Sequence, residues 1–256
     1  IMGDNRISRE ESTMVVGKRK FSAMCLLLLL ALLADGALAG AVFAVANRQP
    51  SVMQSSAVAN RQPSAMQSSA VRPLQVALTF DDGPHQTCTP ALLNGLKQRG
   101  VKATVVLMGE NIAGKEPLVQ RMQAEGHLIG NHTFHHVQLT KVSEEEAREE
   151  VVKTSNAIYE ITGEYPAYIR PPFGEWREGL DLAVMMIPVL WDVDSRDWES
   201  QNTEAVCRAV LPNVKDGSII LMHDGYRATV EALRRIVKEL KEEGYTFVTV
   251  RELIEE

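Results

Sequence analysis

Gln75–Pro84 reads QVALTFDDGP, an apolar run that delivers two adjacent carboxylates and then breaks at Gly83-Pro84. The run has the length and the residue types of a buried strand, and Gly-Pro is turn chemistry. The same alternation recurs on moving outward. Thr89, followed by Pro90, reads as the cap of a helix that ends at Gly100. Val101–Met108 and His127–Gly130 read as the second and third strands. Ser143 and Glu146 form a capping box for a helix that runs to Thr162 and stops at Gly163. Its apolar positions Ala147, Val151, Ile158 and Ile161 keep helical spacing, which assigns Glu144–Glu146 and Glu149–Glu150 to the solvated face. Further strands fall at Ala167–Arg170, Ile187–Trp191, Ser218–Met222 and Thr246–Val250, with a helix around Val230–Leu240 closed by Gly244. Seven strands alternating with helices predict an α/β fold with about seven parallel strands, in an open sheet or a barrel.

The chain outside this pattern reads differently. Lys18-Arg19-Lys20 precedes the apolar run Phe21–Ala34, and small-residue sites follow at Ala37-Leu38-Ala39 and Ala44-Val45-Ala46. A basic region, a short apolar core and such sites describe a signal peptide over residues 1–46. Asp35 cuts the core short of the ~20 apolar residues of a spanning helix, so an uncleaved N-terminal anchor is the second reading. Val45–Ala57 and Val58–Ala70 are tandem copies that differ only at Val52 and Ala65. Their Gln, Ser, Asn and Pro content cannot bury a core, so residues 45–71 read as a disordered spacer. The folded domain is expected over residues 72–256. The 256-residue chain carries a net charge of −6, which argues against a nucleic-acid partner. Any membrane contact falls to the leader, which points to a secreted or extracytoplasmic protein. Cys88 and Cys207 can pair or stay free; their spacing favours neither.

The polar residues at the strand ends carry the chemistry. Asp81 and Asp82 follow the first strand, His132 and His136 the third, Arg170 the fourth, Asp197 the fifth and His223 the sixth. Loops from the carboxyl ends of parallel strands converge on ligands. His132 and His136 are four apart, so one helical turn would aim both the same way, with His135 a possible substitute. Two histidines and one aspartate, with a position left for water, describe a catalytic zinc site. Asp-Gly-Pro taken alone reads as an ordinary solvated turn; beside the histidines, such a cation would offset the repulsion of two adjacent charges. One carboxylate would ligate it and the other would take a proton from water. Gly83-Pro84 ends the strand and lets both turn toward one pocket.

TFDDGP, HTFHH, RPPFG, DSRDW and LMH stand in the order of the five motifs of the polysaccharide deacetylases. This is the NodB-like group, carbohydrate esterase family 4, and residues 72–256 resemble it throughout. The resemblance implies a distorted (β/α) barrel and a divalent metal, usually zinc, with cobalt or manganese as alternatives. It implies an acetylated polysaccharide as the substrate. Asp82, His132 and His136 match the metal ligands. Asp81 matches the general base, with Arg170 pairing to it, and His223 matches the general acid, held by Asp197. A main-chain N–H of Pro172-Phe173-Gly174 matches the oxyanion donor, and Leu221 and Trp198 match the wall around the acetyl methyl. Phe173 replaces the usual tyrosine of the third motif, which preserves the main-chain donor and removes a hydroxyl from the substrate side.

Trp176 lies beyond that motif and reads as a sugar-stacking or a packing residue. Trp191 reads as core, and His85 and His127 as surface or structural. The implied activity is removal of acetyl groups from N-acetylglucosamine-containing polysaccharide, with peptidoglycan ahead of chitin. An O-acetyl xylan esterase shares every residue named, and a non-catalytic glycan-binding protein would share the fold. No G-x-S-x-G or P-loop pattern is present.

Overall fold

QVALTFDD is the centre of the sheet. Val76, Ala77, Leu78 and Phe80 in strand β1 (Leu74–Gly83) are fully buried, as expected of a strand covered on both faces. In this computed structural model, residues 72–179 and 185–255 are described, and the leader and spacer readings lie outside them. β1 pairs in parallel with β2 (Thr104–Leu107), β7 (Ser218–His223) and β8 (Tyr245–Val248). β3 (Leu128–Asn131), β4 (Tyr168–Ile169) and β5 (Ile187–Pro188) extend the sheet beyond β2, and β6 (Val193–Asp194) pairs with β7 at the other end.

The strand path is β5-β4-β3-β2-β1-β7-β6, with β8 beside β1. Only residues 189–192 connect β5, at one end of this path, to β6, at the other. The span from Pro188 to Val193 is at most ~18 Å of extended chain, so the sheet must curl until its ends approach. That is the distorted barrel. The expected strand Ile187–Trp191 is regular only over Ile187–Pro188, with one further rung from Val189 N to Ile169 O at 2.8 Å, and the eighth strand, β6, was not anticipated. Beyond Pro188 the chain is held from inside: Arg170 Nε donates to Val189 O at 3.1 Å and its Nη2 to Leu190 O at 3.2 Å.

The described α-helices are α1 (Cys88–Gln98), α2 (Glu116–Ala124), α3 (Glu144–Thr162), α4 (Asp197–Ser200), α5 (Thr203–Val210), α6 (Arg227–Glu242) and α7 (Val250–Glu255), with short 3-10 turns at Gly109–Asn111, Pro172–Gly174 and Leu211–Asn213. Leu92, Leu93 and Leu96 of α1 and Leu233, Ile236, Val237 and Leu240 of α6 join the main core. α3 keeps its expected limits: Ser143 Oγ accepts from Glu146 N at 3.1 Å, and Gly163 turns left-handed at φ 74°.

Two local expectations are corrected. Thr89 does not cap α1, because its hydroxyl accepts from His85 N and donates to the buried carboxyl of Asp224. The His85 ring serves the helix start instead, with Nδ1 accepting from Thr87 N and Cys88 N at 3.4 and 3.3 Å. Glu150 is not on a solvated face: only 8% exposed, it turns inward toward the His132–His136 loop. Cys88 and Cys207 are free thiols, the latter inside the main core.

Candidate metal centre and active site

The carboxyl ends of β1, β3 and β7 and the chain after β4 and β6 open onto one pocket of about 420 Å³. Asp81, Asp82, His132, His136 and His223 all line it. In a regular strand Asp81 and Asp82 would point to opposite faces. Asp82 instead takes φ +69°, and the β1–β2 register slips between Phe80 and Gly83. The turn that brings both carboxylates to the pocket is therefore made at Asp82 itself, not at Gly83-Pro84. Aspartate is among the few residues that tolerate this conformation. Asn111 Nδ2 holds the bent backbone by donating to Asp82 O at 2.8 Å.

The two histidines also meet by a different route from the expected helical turn. Residues 132–136 form a loop with left-handed backbone at Thr133 (φ 63°) and His136 (φ 57°). Its supports are buried polar side chains. Asn131 Nδ2 donates to Val151 O at 2.8 Å, and its Oδ1 accepts from Thr133 N at 2.8 Å. Glu150 Oε2 accepts from Phe134 N and His135 N at 2.9 and 2.7 Å, and its Oε1 lies 2.6 Å from His135 Nδ1. His135 is thus turned away to Glu150 and takes no part in the cluster.

Asp82, His132 and His136 bring one ligand atom each to within 4.8 Å of one another. Asp82 Oδ1 lies 3.3 Å from His132 Nε2 and 3.7 Å from His136 Nε2. It is buried and has no hydrogen-bond partner. His132 Nδ1 sits 2.6 Å from Arg170 O, and since a carbonyl can only accept, Nδ1 carries the proton. In the neutral ring this leaves the Nε2 lone pair facing Asp82, the arrangement that orients a metal-ligating histidine. Burial alone would push the Asp82 carboxyl up, yet it stays below its ordinary value because His132, His223 and His136 surround it. Burial and the neighbouring His132 lower His136. Burial also works against a charged His132, but Asp81 and Asp82 raise it overall. The negative charge that would hold a proton there suits a cation equally, and the three residues fit a divalent metal.

Two further titratable groups are individually wired. Asp81, 3% exposed, accepts from Arg170 Nη1 at 2.8 Å through Oδ1, and the same guanidinium donates to Thr79 Oγ1 at 2.7 Å. His223 stands in register with Asp81 across the β1–β7 ladder. Its Nδ1 lies 2.7 Å from Asp197 Oδ1, and its main-chain N donates to Asp197 Oδ2 at 2.7 Å. Thr229 Oγ1 and Trp198 N also donate to Asp197. Burial opposes a charged His223, but Asp197 outweighs it and raises the ring above its usual value. Asp197, fully buried, is lowered in return by His223 and Thr229 despite its burial.

The family model for polysaccharide deacetylases matches residues 69–185. Peptidoglycan-N-acetylglucosamine deacetylase PgdA of Listeria monocytogenes is 39% identical over 70% of this chain and 38% of its own length. A peptidoglycan-N-acetylglucosamine deacetylase of Bacillus cereus is 44% identical over 69% of this chain and 66% of its own. The solved structure of peptidoglycan deacetylase PdaC from Bacillus subtilis superposes with a TM-score of 0.69 at 37% identity, covering 72% of this chain and 91% of that one. The chain belongs to the polysaccharide deacetylase family. It spans about two fifths of the length of the Listeria relative.

Against the family's motifs, the structure brings Phe173, Trp198 and Leu221 to the pocket as well. Phe173 has φ 62° and is 63% exposed, with its ring edge-on to His136 at 4.8 Å. Within that motif Pro172 has no N–H and Gly174 N donates to Pro171 O, which leaves Phe173 N–H as the unengaged donor. Trp176 does not line the pocket; it packs against the cluster of Leu139, Ala147, Val151 and Ile169. Trp191 and Asp194 do line it, and the sequence reading had placed Trp191 in the core and passed over Asp194. The signal for Trp191 was close by: a Cβ on Gly174 would lie 3.0 Å from its ring, so a glycine in RPPFG marks the indole's seat.

Proposed function

We propose that this protein is a metal-dependent N-deacetylase of N-acetylglucosamine-containing polysaccharide, peptidoglycan before chitin, acting outside the cytoplasm. The observation that carries the reading is one pocket holding a three-residue cation set beside two separately anchored titratable groups, Asp81 on Arg170 and His223 on Asp197. Asp82, His132 and His136 would hold the metal; two imidazoles and a carboxylate suit zinc first, with cobalt or manganese as alternatives. When bound, it would supply Lewis-acid polarisation of the acetyl carbonyl and a more acidic attacking water.

The chain's own residues supply the rest. Arg170 occupies Asp81 Oδ1 and fixes the carboxylate, leaving Oδ2 to take the proton from the attacking water. Phe173 N–H is the main-chain donor for the oxyanion. Asp197 occupies His223 Nδ1, so Nε2 is the atom that delivers a proton to the departing sugar nitrogen. Leu221 and Trp198 supply apolar surface for the acetyl methyl.

An amide nitrogen departs poorly without a proton, whereas an ester oxygen needs less help. The buried carboxylate that favours the protonated form of His223 therefore favours amide over O-acetyl ester substrates. Peptidoglycan is supported by the names of the relatives and by a leader and spacer that would place the domain at the wall. Among the described residues no helix is long and apolar enough to cross a membrane.

The test is acetate release from N-acetylglucosamine pentamer, purified peptidoglycan and acetylated xylan. The enzyme is stripped and reloaded with zinc, cobalt or manganese. Release from the amide substrates is expected. Release from xylan alone would replace this reading with the esterase, and none from any substrate with any metal would remove the enzymatic reading.

A further inference from the structure

A second pocket, of about 350 Å³, opens at the end of the sheet opposite the active site. It is built where β3 and β4 begin and where α2 and α3 end, with the start of α7 beside them. Its volume lies in the ~300–1,000 Å³ range of ligand sites. One wall is His127, whose side chain is only 2% exposed. His127 Nδ1 accepts from Ala103 N at 3.1 Å, so the proton of the neutral ring lies on Nε2. That Nε2–H is buried and has no acceptor; Glu125 Oε2, the nearest carboxylate recorded, is 3.9 Å away. A buried donor without a partner is unusual, and this one stands between the pocket and a neighbouring hollow that Glu125 lines.

The rest of the lining indicates what kind of ligand suits the pocket. Lys102 and Arg251 line the pocket, Lys102 near enough to Glu252 to help lower its carboxyl and Arg251 over the Tyr168 ring at 6.0 Å. Glu164 and Glu252 line it too, so cations and carboxylates are mixed. A wholly anionic ligand would meet those carboxylates, and a cation would meet Lys102 and Arg251. A polyol, whose every hydroxyl both donates and accepts, suits both signs. At the rim stands Tyr165, 58% exposed and stacked on Tyr159, itself 43% exposed, with ring centroids 4.3 Å apart and planes 12° from parallel. An exposed aromatic platform beside a pocket of mixed hydrogen-bonding groups fits the apolar face and the hydroxyl edge of a pyranose.

We propose that this pocket, with its tyrosine pair, is a second carbohydrate-binding site, remote from the catalytic pocket, that holds another stretch of the same polymer. The proposal rests on the deacetylase reading for the identity of that polymer. Its effect is to raise the residence of the enzyme on long chains without entering the chemistry.

The experiment uses the full chain, with Tyr165→Ala and Arg251→Ala as separate variants, both positions lying outside the catalytic pocket. Retention on insoluble peptidoglycan and KM on polymer should worsen by about two- to tenfold in each variant. At the same time, kcat and kcat/KM on N-acetylglucosamine tetramer, too short to reach both sites, should stay unchanged. The His127 ring resonances should shift on titration with N-acetylglucosamine pentamer. Unchanged retention and polymer KM in both folded variants would overturn the proposal, as would His127 shifts with inorganic phosphate but not with the pentamer. A protein that binds the polymer through Tyr165 yet releases no acetate would remove the deacetylase reading and leave this site standing. Normal deacetylation with retention indifferent to Tyr165 and Arg251 would do the reverse.

Discussion

Asp224→Asn should change how the stability of this domain depends on pH. Asp224 is fully buried behind the first motif: its Oδ2 accepts from Thr89 Oγ1 at 2.5 Å, and its Oδ1 has no partner. Burial pushes the carboxyl from 3.8 up to about 7, with Asp82 and Asp81 adding to the push and Thr89 opposing it. A group whose folded-state value is raised favours the fold while protonated, so its contribution is complete below about 4 and is lost as pH rises to about 7. At 1.36 kcal/mol per pH unit that interval is worth roughly 4 kcal/mol, of which roughly 3 kcal/mol falls between pH 5 and pH 8.5. Asparagine has nearly the same shape and never ionises. Its cost, an amide placed where Oδ1 lacks a partner, is the same at every pH. The difference in unfolding free energy between variant and parent should therefore move by roughly 3 kcal/mol in the variant's favour from pH 5 to pH 8.5. Urea unfolding of both proteins across that range, with chelator present throughout, measures it. A difference that stays flat would mean that Asp224 is ionised in the fold at all these pH values, and the argument from burial would be refuted.

Other perturbations address the active site. Asp197→Asn should move the alkaline limb of the kcat/KM profile on N-acetylated oligosaccharides to lower pH, because Asp197 is what raises His223 against its burial; an unmoved limb would separate His223 from that limb. His132→Ala should lower the zinc bound per chain, measured by elemental analysis. Asp81→Asn should keep the metal and lose ~10²–10⁴-fold in kcat; the opposite pairing of effects would exchange their roles. Gly83→Ala would place a Cβ 2.4 Å from Asp224 Oδ2 in a fully buried setting. It should cost about 1–3 kcal/mol of stability in denaturant unfolding, and a neutral effect would show that the Asp82–Gly83 turn can shift.

The parts of this structure that were legible in the sequence are those decided by local pattern. Apolar runs located the seven expected strands, and Ser143, Glu146 and Gly163 set the ends of α3. What the pattern missed was decided by partners far along the chain. Thr89 has every local mark of a helix cap, but Asp224, 135 positions away, takes its hydroxyl. Glu150 sits among acidic neighbours that look uniformly solvated, but the backbone amides of Phe134 and His135 draw it inward. Val193–Asp194 is too short to show a period, and it becomes a strand only because β7 offers it a ladder. Helix α5 was missed although Asn202 stands at its start with Oδ1 accepting from Ala205 N at 2.9 Å, a cap that could have been read.

The candidate site shows the same division more sharply. Residue identities pointed to Asp82, His132 and His136, yet both geometric reasons for their meeting were wrong in detail. A strand ending at Gly83-Pro84 and a helical turn over 132–136 are the regular devices available to a sequence reader. The molecule instead uses left-handed backbone at Asp82, Thr133 and His136. Such conformations cost of order 1–3 kcal/mol each and persist only where surrounding bonds over-determine them. Here those bonds are visible: Asn111 on Asp82 O, Asn131 on Thr133 N, and Glu150 on the amides of Phe134 and His135. The strained residues coincide with two of the three proposed ligands and the loop between the histidines. Bonds within the fold therefore hold Asp82, His132 and His136 in this arrangement, and Asn111, Asn131 and Glu150 belong to the candidate site as much as the three residues they position.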